Sequence, residues 1–162
     1  SLGNFNLSLN IAKLEKFKQT AGNDFIKLIE AQESGVIPKE LSISGFSDLL
    51  EKDGSPEIQA SIKFIWNKGP WGLGFFGKHI GEFYETRNKL SDGRLWKVKA
   101  YNTINGHVDY HFNFNSSDSR VRFGINNMTD ERAPLASDIF GYYFDKHDNL
   151  GRYYYIDLSY KF

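Results

Sequence analysis

The segment INGHVDYHFNF, residues 104–114, decides the fold class of this chain. From residue 107 onward its polar and apolar residues alternate without a break, so an extended chain would place them on opposite sides. The apolar set is Ile104, Val108, Tyr110, Phe112 and Phe114, and the polar set is Asn105, His107, Asp109, His111 and Asn113. This period of two predicts a β-strand with one apolar face and one polar face.

Five other segments show the same alternation. The first of them is the most regular, because Phe5, Leu7 and Leu9 alternate with Asn and Ser residues without exception. We predict an all-β protein in which six antiparallel strands pair in the order of the chain. The predicted strands span residues 3–19, 57–67, 71–84, 96–115, 119–127 and 152–162.

The connections between these strands alternate between short and long. Residues 67–70 and 115–119 are short and rich in Asn, Gly, Pro and Ser, which favour tight turns. The other three connections have about 40, about 15 and about 25 residues, which is more than a hairpin needs. Outer-membrane β-barrels show this asymmetry, with short periplasmic turns and long extracellular loops. The asymmetry predicts that Pro70 and Ser117 lie on the periplasmic side and that Ala31 and Phe144 lie outside.

Aromatic residues support this interpretation independently. They make up 16% of the chain, and seven of them fall on the apolar face at the short-turn ends of the strands. Amphipathic rings favour the membrane interface, so such a girdle is typical of a transmembrane barrel in a Gram-negative outer membrane. A soluble β-sandwich is the alternative, because alternation alone fits both architectures. The seven residues are Phe5, Trp66, Trp71, Phe112, Phe114, Tyr160 and Phe162.

The amino-acid composition excludes several classes of protein. The 20 basic and 20 acidic residues balance, so the chain lacks the basic excess of nucleic-acid-binding proteins. No stretch approaches the ~20 apolar residues of a spanning helix, and the absence of Cys excludes disulfides and thiol chemistry. Closed membrane barrels begin at eight strands. We therefore expect residues 1–162 to be the C-terminal part of one larger barrel domain.

The end of the chain carries a recognisable set of residues. Asn126, Asn127, Asp130 and Pro134 follow the fifth predicted strand, and Gly151-Arg152 precedes an aromatic last strand that begins with three tyrosines and ends in Phe162. Residues 121–162 thereby resemble the C-terminal end of a TonB-dependent outer-membrane receptor.

The resemblance implies a 22-stranded barrel, a plug domain and further strands that this chain does not contain. It implies import of a scarce nutrient ligand, such as a metal chelate, oligosaccharide or peptide, with energy from TonB-ExbB-ExbD acting through the missing N-terminal part. It also implies that Tyr160 and Phe162 form a signal for the barrel-assembly machinery, in contact with outer-membrane lipid. A passive porin and an outer-membrane barrel hydrolase are the alternative functions.

His107, Asp109 and His111 form the first candidate site. They occupy alternate positions of the fourth predicted strand, so they project from one face at ~6.6 Å intervals. Imidazole and carboxylate groups can bind Zn or Fe, but the sequence shows no further ligand to complete such a site. We expect them to line a water-filled lumen, with no metal and no cofactor.

The last long loop contains the second candidate site. Tyr142, Tyr143, Phe144 and His147 mix aromatic rings with a titratable group, which suits contact with a ligand. Packing of the loop on neighbouring loops, or an early start of the last strand, explains the same residues equally well.

Two other patterns have structural interpretations. Asn23 is placed to cap a helix over residues 24–32, which Gly35 would end. The apolar stripe of this helix would pack the loop onto the barrel mouth. Gly72, Gly74 and Gly77 form a literal GxGxxG, but the segment has strand periodicity rather than the helix of a phosphate site. We expect these glycines to allow a plug or a neighbouring side chain to approach closely.

Catalytic residues are not expected, because no Ser-His-Asp set, thiol or flanking carboxylate pair occurs in a suitable order. The hydrolase alternative would need a Ser beside His107 or His111. Ser61 is the only inward Ser that the pattern places on a central strand.

Overall fold

The computed structural model describes residues 2–20, 22–39, 41, 47–115 and 117–161. Among these, antiparallel strands dominate, and one six-stranded sheet in the order β1-β4-β5-β8-β9-β10 forms the body of the structure. The prediction of an all-β chain with strands paired in chain order is confirmed. The elements are β1 (Asn4–Lys13), β2 (Lys18–Gln19), α1 (Asn23–Glu33), β3 (Ser47–Asp48), β4 (Ile58–Lys68), β5 (Trp71–Ile80), β6 (Phe83–Lys89), β7 (Leu95–Val98), β8 (Tyr101–Phe114), β9 (Ser117–Asn126) and β10 (Tyr153–Tyr160).

The pairing register places the alternating apolar residues of all six strands on one face, whereas Ile65, Phe76 and Ile80 fall on the opposite face. Phe5 lies opposite Trp66, and Trp66 lies opposite Leu73 on the next strand. The same row continues through β8 and β9 to Ile156 on β10. Because the side-chain period of a strand is two, this register also gathers the polar residues on the opposite face.

Two tight turns close one end of the sheet, as predicted. Lys68 pairs with Trp71, so only Gly69 and Pro70 form the first turn. Gly69 has φ +55°, a left-handed conformation that glycine adopts without steric cost. Phe114 pairs with Ser117, and Asn115 has φ +50°. The second turn is therefore shorter than residues 115–119, and β9 begins two residues earlier than predicted.

The predicted bounds of the first, third and fourth strands were too long. The first strand ends at Lys13, and residues 18–19 pair with β3 in a separate two-stranded sheet. The third ends at Ile80, after which β6 pairs with β7 in another small sheet. Residues 95–98 therefore belong to β7 rather than to the fourth strand. The regular alternation ends at Ile11 and at Gly77 and starts again at Ile104, so the predicted extensions of these strands lay outside it.

Helix α1 lies in the connection between β1 and β4. It begins at Asn23, and Gly22, with φ −69° and ψ 166°, occupies the N-cap position without a side-chain hydrogen bond. The prediction that Asn23 caps the helix was wrong, because that residue already has helical torsion angles. No residue of α1 is buried, and the helix contacts no strand closely, so the expected packing onto the sheet is not observed. Within the described chain, no helix has the length and apolarity needed to span a membrane.

The buried apolar core of the described residues is small and lies at the long-loop end of the sheet. It consists of Ile80, Phe83, Val98 and Tyr101. The apolar face of the large sheet is open, since Leu7 is 67% exposed and Leu158 is 76% exposed. No described element packs across this face, and β1 and β10 remain unpaired edges rather than closing on each other.

Candidate functional site

An ion-pair network lies on the polar face near its short-turn end. Strand β8 presents Asp109, and the neighbouring β9 presents Arg122 directly opposite it. The guanidinium of Arg122 donates two hydrogen bonds to the carboxylate of Asp109, one from Nη2 to Oδ2 at 3.0 Å. Nε2 of His107 lies 3.6 Å from Oδ2 of the same carboxylate. Asp109 is only 7% exposed, so this bidentate pair compensates most of the cost of burying its charge.

The network continues onto the last strand. Arg120 lies two residues before Arg122 on the same face, and its Nη2 donates to Oδ1 of Asp157 at 2.8 Å. Nε of Arg120 is buried without a partner in the described structure. Three strands are thereby joined by side chains as well as by backbone hydrogen bonds. Arg120, Arg122 and Asp157 were not singled out from the sequence. The available signal was the pair of alternate arginines, which lie opposite His111 and Asp109.

Two glycines of the GxGxxG segment create the space for this network. Gly72 lies opposite Asp109, and Gly74 lies opposite His107. A Cβ atom on Gly74 would overlap the His107 ring, and one on Gly72 would stand 3.1 Å from Oδ2 of Asp109. The glycines therefore admit neighbouring side chains, which is one of the two roles predicted for them.

The three predicted polar residues of β8 have different environments. His107 and Asp109 join the network, whereas the side chain of His111 forms no ion pair or hydrogen bond with the described residues. Among those residues, no cluster of three or more His, Cys, Asp or Glu side chains could hold a metal ion. Ser61 lies two strands away from His107 and four residues further along the strand direction, a distance of roughly 16 Å by strand spacing and rise. The geometry does not bring a serine to a candidate histidine base.

The base of loop 127–152 is fixed by residues of the C-terminal motif. Asn127 has φ +51°, and its side chain bonds both the N–H and the carbonyl of Glu131. Asp130 accepts a hydrogen bond from the backbone N–H of Arg152 at 2.8 Å, which joins the two ends of the loop. Gly151 has φ +75°, as the sharp entry into β10 requires. These contacts give each of these motif residues a local structural role.

The aromatic run of this loop packs against the β6–β7 hairpin. Tyr143 meets Phe83 edge to face at 5.0 Å between ring centroids. His147 stacks on Phe83 at 6.1 Å and meets Tyr101 edge to face at 5.1 Å. Burial raises the pKa of Tyr143 to about 12. Of the four predicted ligand-contact residues, Tyr143 and His147 thus form part of the loop core, while Phe144 is 56% exposed.

His147 is unusual because it is buried without polar contacts. Its side chain is 3% exposed, and neither ring nitrogen has a hydrogen-bond partner in the described structure. Burial lowers its pKa, and the nearby cations Lys78 and Lys146 lower it further, against an opposing effect of Asp145. The ring is therefore held as neutral imidazole near pH 7.

Glu85 connects the hairpin to the loop and was not anticipated from the sequence. It is 1% exposed, and its Oε1 accepts hydrogen bonds from the backbone N–H of Ser137 at 2.7 Å and from its hydroxyl at 3.0 Å. Asn88 donates to the other carboxylate oxygen at 3.1 Å. Nearby, Nε1 of Trp96 donates to the carbonyl of Leu135 at 2.9 Å. A carboxylate with three donors is well satisfied despite its burial.

A cleft of about 300 Å³ opens between this loop and the polar face. Strands β5, β8, β9 and β10 form one wall, and loop residues 144–148 form the other. Lys78 crosses the cleft, where its Nζ donates to the carbonyl of Lys146 at 3.3 Å. The remaining side chains that line the cleft include Thr103, Asn105, Asn126, Phe144, His147 and Tyr153.

The predicted girdle forms a line of ring contacts at the short-turn end of the apolar face. Phe5 lies 6.1 Å from Phe64, Trp71 lies 4.7 Å from Tyr110, and Phe114 lies 6.4 Å from Tyr160, between ring centroids. Tyr160, one of the two predicted assembly-signal residues, is therefore part of this line. Phe162, the other, lies outside the described residues.

Comparisons with known proteins returned no match, whether against family models, curated proteins or solved structures.

Proposed function

We propose that this chain is the C-terminal wall of a transmembrane β-barrel in a Gram-negative outer membrane, and that the barrel actively imports a scarce nutrient. The apolar face of the six-stranded sheet carries the proposal. Large aliphatic side chains across it are exposed, and no described element covers them. In water such a face would strongly favour aggregation, whereas lipid hydrocarbon would cover it completely.

The height of the apolar face supports this environment. On β8 it extends from Ile104 to Phe114, ten residues at about 3.3 Å each along the strand. At the roughly 35–45° tilt of membrane barrel strands this length crosses about 23–27 Å, close to the ~25 Å apolar band of outer-membrane barrels. His79 and Asn102 bond each other at 2.7 Å immediately beyond Ile104, where the face becomes polar.

The limits of the apolar face also drift along the sheet. Across the sheet, Phe5 on β1 is aligned with Ile156 on β10. At this short-turn end, the apolar face of β10 continues four residues beyond Ile156, to the ring of Tyr160. At the long-loop end, Tyr154 on β10 is aligned with Leu7 on β1. The apolar face of β1 continues four residues beyond Leu7, to Ile11. This drift over five strand spacings corresponds to a tilt of about 30°, near the tilt of membrane barrel strands.

The alternative of a soluble β-sandwich has less support. A sandwich packs a second sheet about 10 Å above the first and buries both inner faces. The two small sheets of the described structure do not cover the large one. The open edges at β1 and β10 instead suit further strands of a larger barrel, because hydrocarbon cannot satisfy their backbone groups.

The importing function rests on the polar face and the C-terminal motif. A charged network on one face and a cleft under a long loop suit a lumen that holds a plug and admits a ligand from outside. The motif residues of loop 127–152 resemble those of TonB-dependent receptors, which couple such a barrel to the inner membrane. The complete protein would therefore engage a plug domain, TonB and the barrel-assembly machinery.

Cysteine labelling of intact cells tests the membrane topology. Phe144→Cys should react with a membrane-impermeant maleimide, whereas Ser117→Cys should react only after the outer membrane is opened. Labelling of Ser117→Cys alone in intact cells would reverse the orientation, and equal labelling in a soluble fraction would refute membrane insertion.

Nutrient uptake tests the energy source. Growth on single nutrient sources should identify one whose uptake at low concentration requires both this protein and TonB. Uptake that requires the protein but not TonB would favour a passive porin.

A further inference from the structure

We propose that the cleft between loop residues 144–148 and the polar face is a binding subsite for a neutral, hydroxyl-rich group, namely one sugar residue of an oligosaccharide. The inference rests on the proposed function and specifies its substrate class. Three features of the described residues support it: the unused polar groups of the cleft, the balance of its charges, and a buried histidine without partners.

The unused polar groups are amides and hydroxyls. Asn126 and Thr103 make no side-chain hydrogen bond within the described residues. Asn105 uses only its Oδ1, which accepts from the backbone N–H of Asn127 at 2.8 Å, so its amide nitrogen is available. Amides and hydroxyls both donate and accept, which matches the paired donor and acceptor character of sugar hydroxyls.

The charges of the cleft are balanced and already engaged. Its two lysines face two aspartates, so it attracts neither anions nor cations strongly. Nζ of Lys146 pairs with Asp145 at 3.0 Å, and Nζ of Lys78 is directed to a backbone carbonyl. An anionic metal chelate would meet the Asp145 and Asp148 carboxylates, and Lys78 is the one lysine of the cleft without a carboxylate partner among the described residues.

Aromatic groups complete the cleft. The Phe144 ring is 56% exposed at one wall, and Tyr153 on β10 is 43% exposed at the other. Flat apolar rings pack well against the C–H faces of a sugar while nearby amides bond its hydroxyls. Such a combination of a few convergent polar groups and rigid rings is typical of ligand pockets rather than of a simple lumen wall.

His147 provides an independent indication of a ligand. It lines the cleft, it is only 3% exposed, and both ring nitrogens lack hydrogen-bond partners among the residues that the structure describes. Buried polar groups in folded proteins are nearly always hydrogen-bonded. Both nitrogens are themselves buried, so a ligand hydroxyl, or a water that it brings, would reach one of them after a small displacement of loop residues 144–148.

Calorimetric titration of the purified, detergent-solubilised full-length protein tests the inference. The probes are neutral hexasaccharides of glucose, xylose and mannose, with oligogalacturonate and a ferric catecholate as charged comparisons. We expect one neutral hexasaccharide to bind with a Kd below about 1 mM and both charged probes to bind at least about tenfold more weakly.

Matched variants locate the binding. Asn126→Ala and Asn105→Asp should each weaken sugar binding about tenfold or more, the latter because it keeps the acceptor for Asn127 but removes the amide donor. Asn113→Asp on the same strand and face, outside the cleft, should have no effect. Phe144→Ala should weaken binding, whereas Ile139→Ala, which removes an exposed apolar side chain of the same loop that does not line the cleft, should not.

The outcomes separate the two proposals. The subsite is overturned if no neutral hexasaccharide binds with a Kd below about 1 mM, or if all three cleft variants leave the binding unchanged. Either result would overturn it even if uptake depends on TonB. Preference for a charged probe would overturn it as well. Sugar binding by a protein that labelling places outside the outer membrane would instead refute the proposed function and leave the subsite intact.

Discussion

At the scale of single residues, the charged side chains near the short-turn end of the polar face form a network centred on the buried carboxylate of Asp109. Asp109 serves Arg122 and His107 together, and Gly72 and Gly74 leave the space that this arrangement needs. Arg120 and Asp157 form a more exposed pair beside it. The energetic importance of a carboxylate here follows its burial rather than its number of neighbours.

Asp109→Asn should therefore be clearly destabilising. The substitution keeps the shape but leaves Arg122 without its anion, and we expect a loss of about 2–3 kcal/mol in the free energy of unfolding. Asp157→Asn is the control, with a loss below about 1 kcal/mol because its side chain is half exposed and solvent-screened. Urea titration of the refolded full-length protein in lipid measures both. Equal losses for the two variants would contradict the assigned network.

His147 makes the stability of loop 127–152 depend on pH. Its pKa is lowered in the folded loop, so the opened loop binds more protons, and the stabilisation present above about pH 6.5 is lost as the pH falls through the folded pKa. Lys78 and Lys146 oppose protonation, and Asp145 is the facing group that favours it. Hydrogen exchange of the loop, corrected for intrinsic rates, should accelerate between pH 7 and pH 5. His147→Phe fills the same space between Phe83 and Tyr101 and should remove this dependence; an unchanged pH profile would disprove the assignment to His147.

At the scale of elements, the β6–β7 hairpin and loop 127–152 form one folded unit at the long-loop end. The hairpin contributes Phe83 and Glu85, and the loop contributes Tyr143, His147 and the backbone of Ser137. Two of the four buried apolar residues of the described structure, Phe83 and Val98, belong to this unit, and the other two, Ile80 and Tyr101, lie on the adjoining strands. The loop therefore has a core of its own, and the cleft beneath it keeps a defined shape.

Glu85→Ala should detach the loop from the hairpin. It removes the three hydrogen bonds that the buried Glu85 carboxylate accepts, two of them from Ser137, which we expect to cost about 2 kcal/mol and to raise the population of the opened loop about thirtyfold. Limited proteolysis of intact cells should then cut the loop faster. Glu82→Ala, just before the hairpin, removes only a surface pair with Lys97 and serves as the control. Unaltered cleavage of the Glu85 variant would show that ring packing alone holds the loop.

At the scale of the whole molecule, the two faces of the sheet face different solvents in our proposal. The distinction can be tested on adjacent residues of β10, because Ile156 lies on the apolar face and Asp157 on the polar face beside it. In water, a lysine at an exposed position is nearly neutral for stability. In lipid, the same substitution is expensive near the bilayer centre.

Ile156→Lys should accordingly destabilise the membrane-embedded protein by about 2–4 kcal/mol. The control is Ser159→Lys on the polar face of the same strand, which should change stability by less than about 0.5 kcal/mol. Reversible unfolding of both variants in lipid vesicles provides the measurement. If Ile156→Lys is as mild as the control, the apolar face is not in contact with lipid.

The sequence by itself determined the strand faces, the order of pairing and the positions of the tight turns. Alternation is a local property, because each extended residue turns its side chain opposite to that of its neighbour, whatever the rest of the chain does. Residues such as Leu7, Val108 and Ile156 could therefore be assigned to one face before any pairing was known. Gly69-Pro70 likewise has backbone preferences that favour a turn in isolation.

Only the tertiary structure decided which strands change partners and which loop residues are buried. Residues 83–89 follow β5 closely, yet they pair with β7 rather than with the large sheet, because pairing depends on which segment offers matching backbone groups. The burial of Glu85 and His147 depends on segments some 50 and 45–65 residues away, respectively, so no local pattern contains it. The cleft has the same origin, since its two walls meet only when loop 127–152 folds back over the sheet.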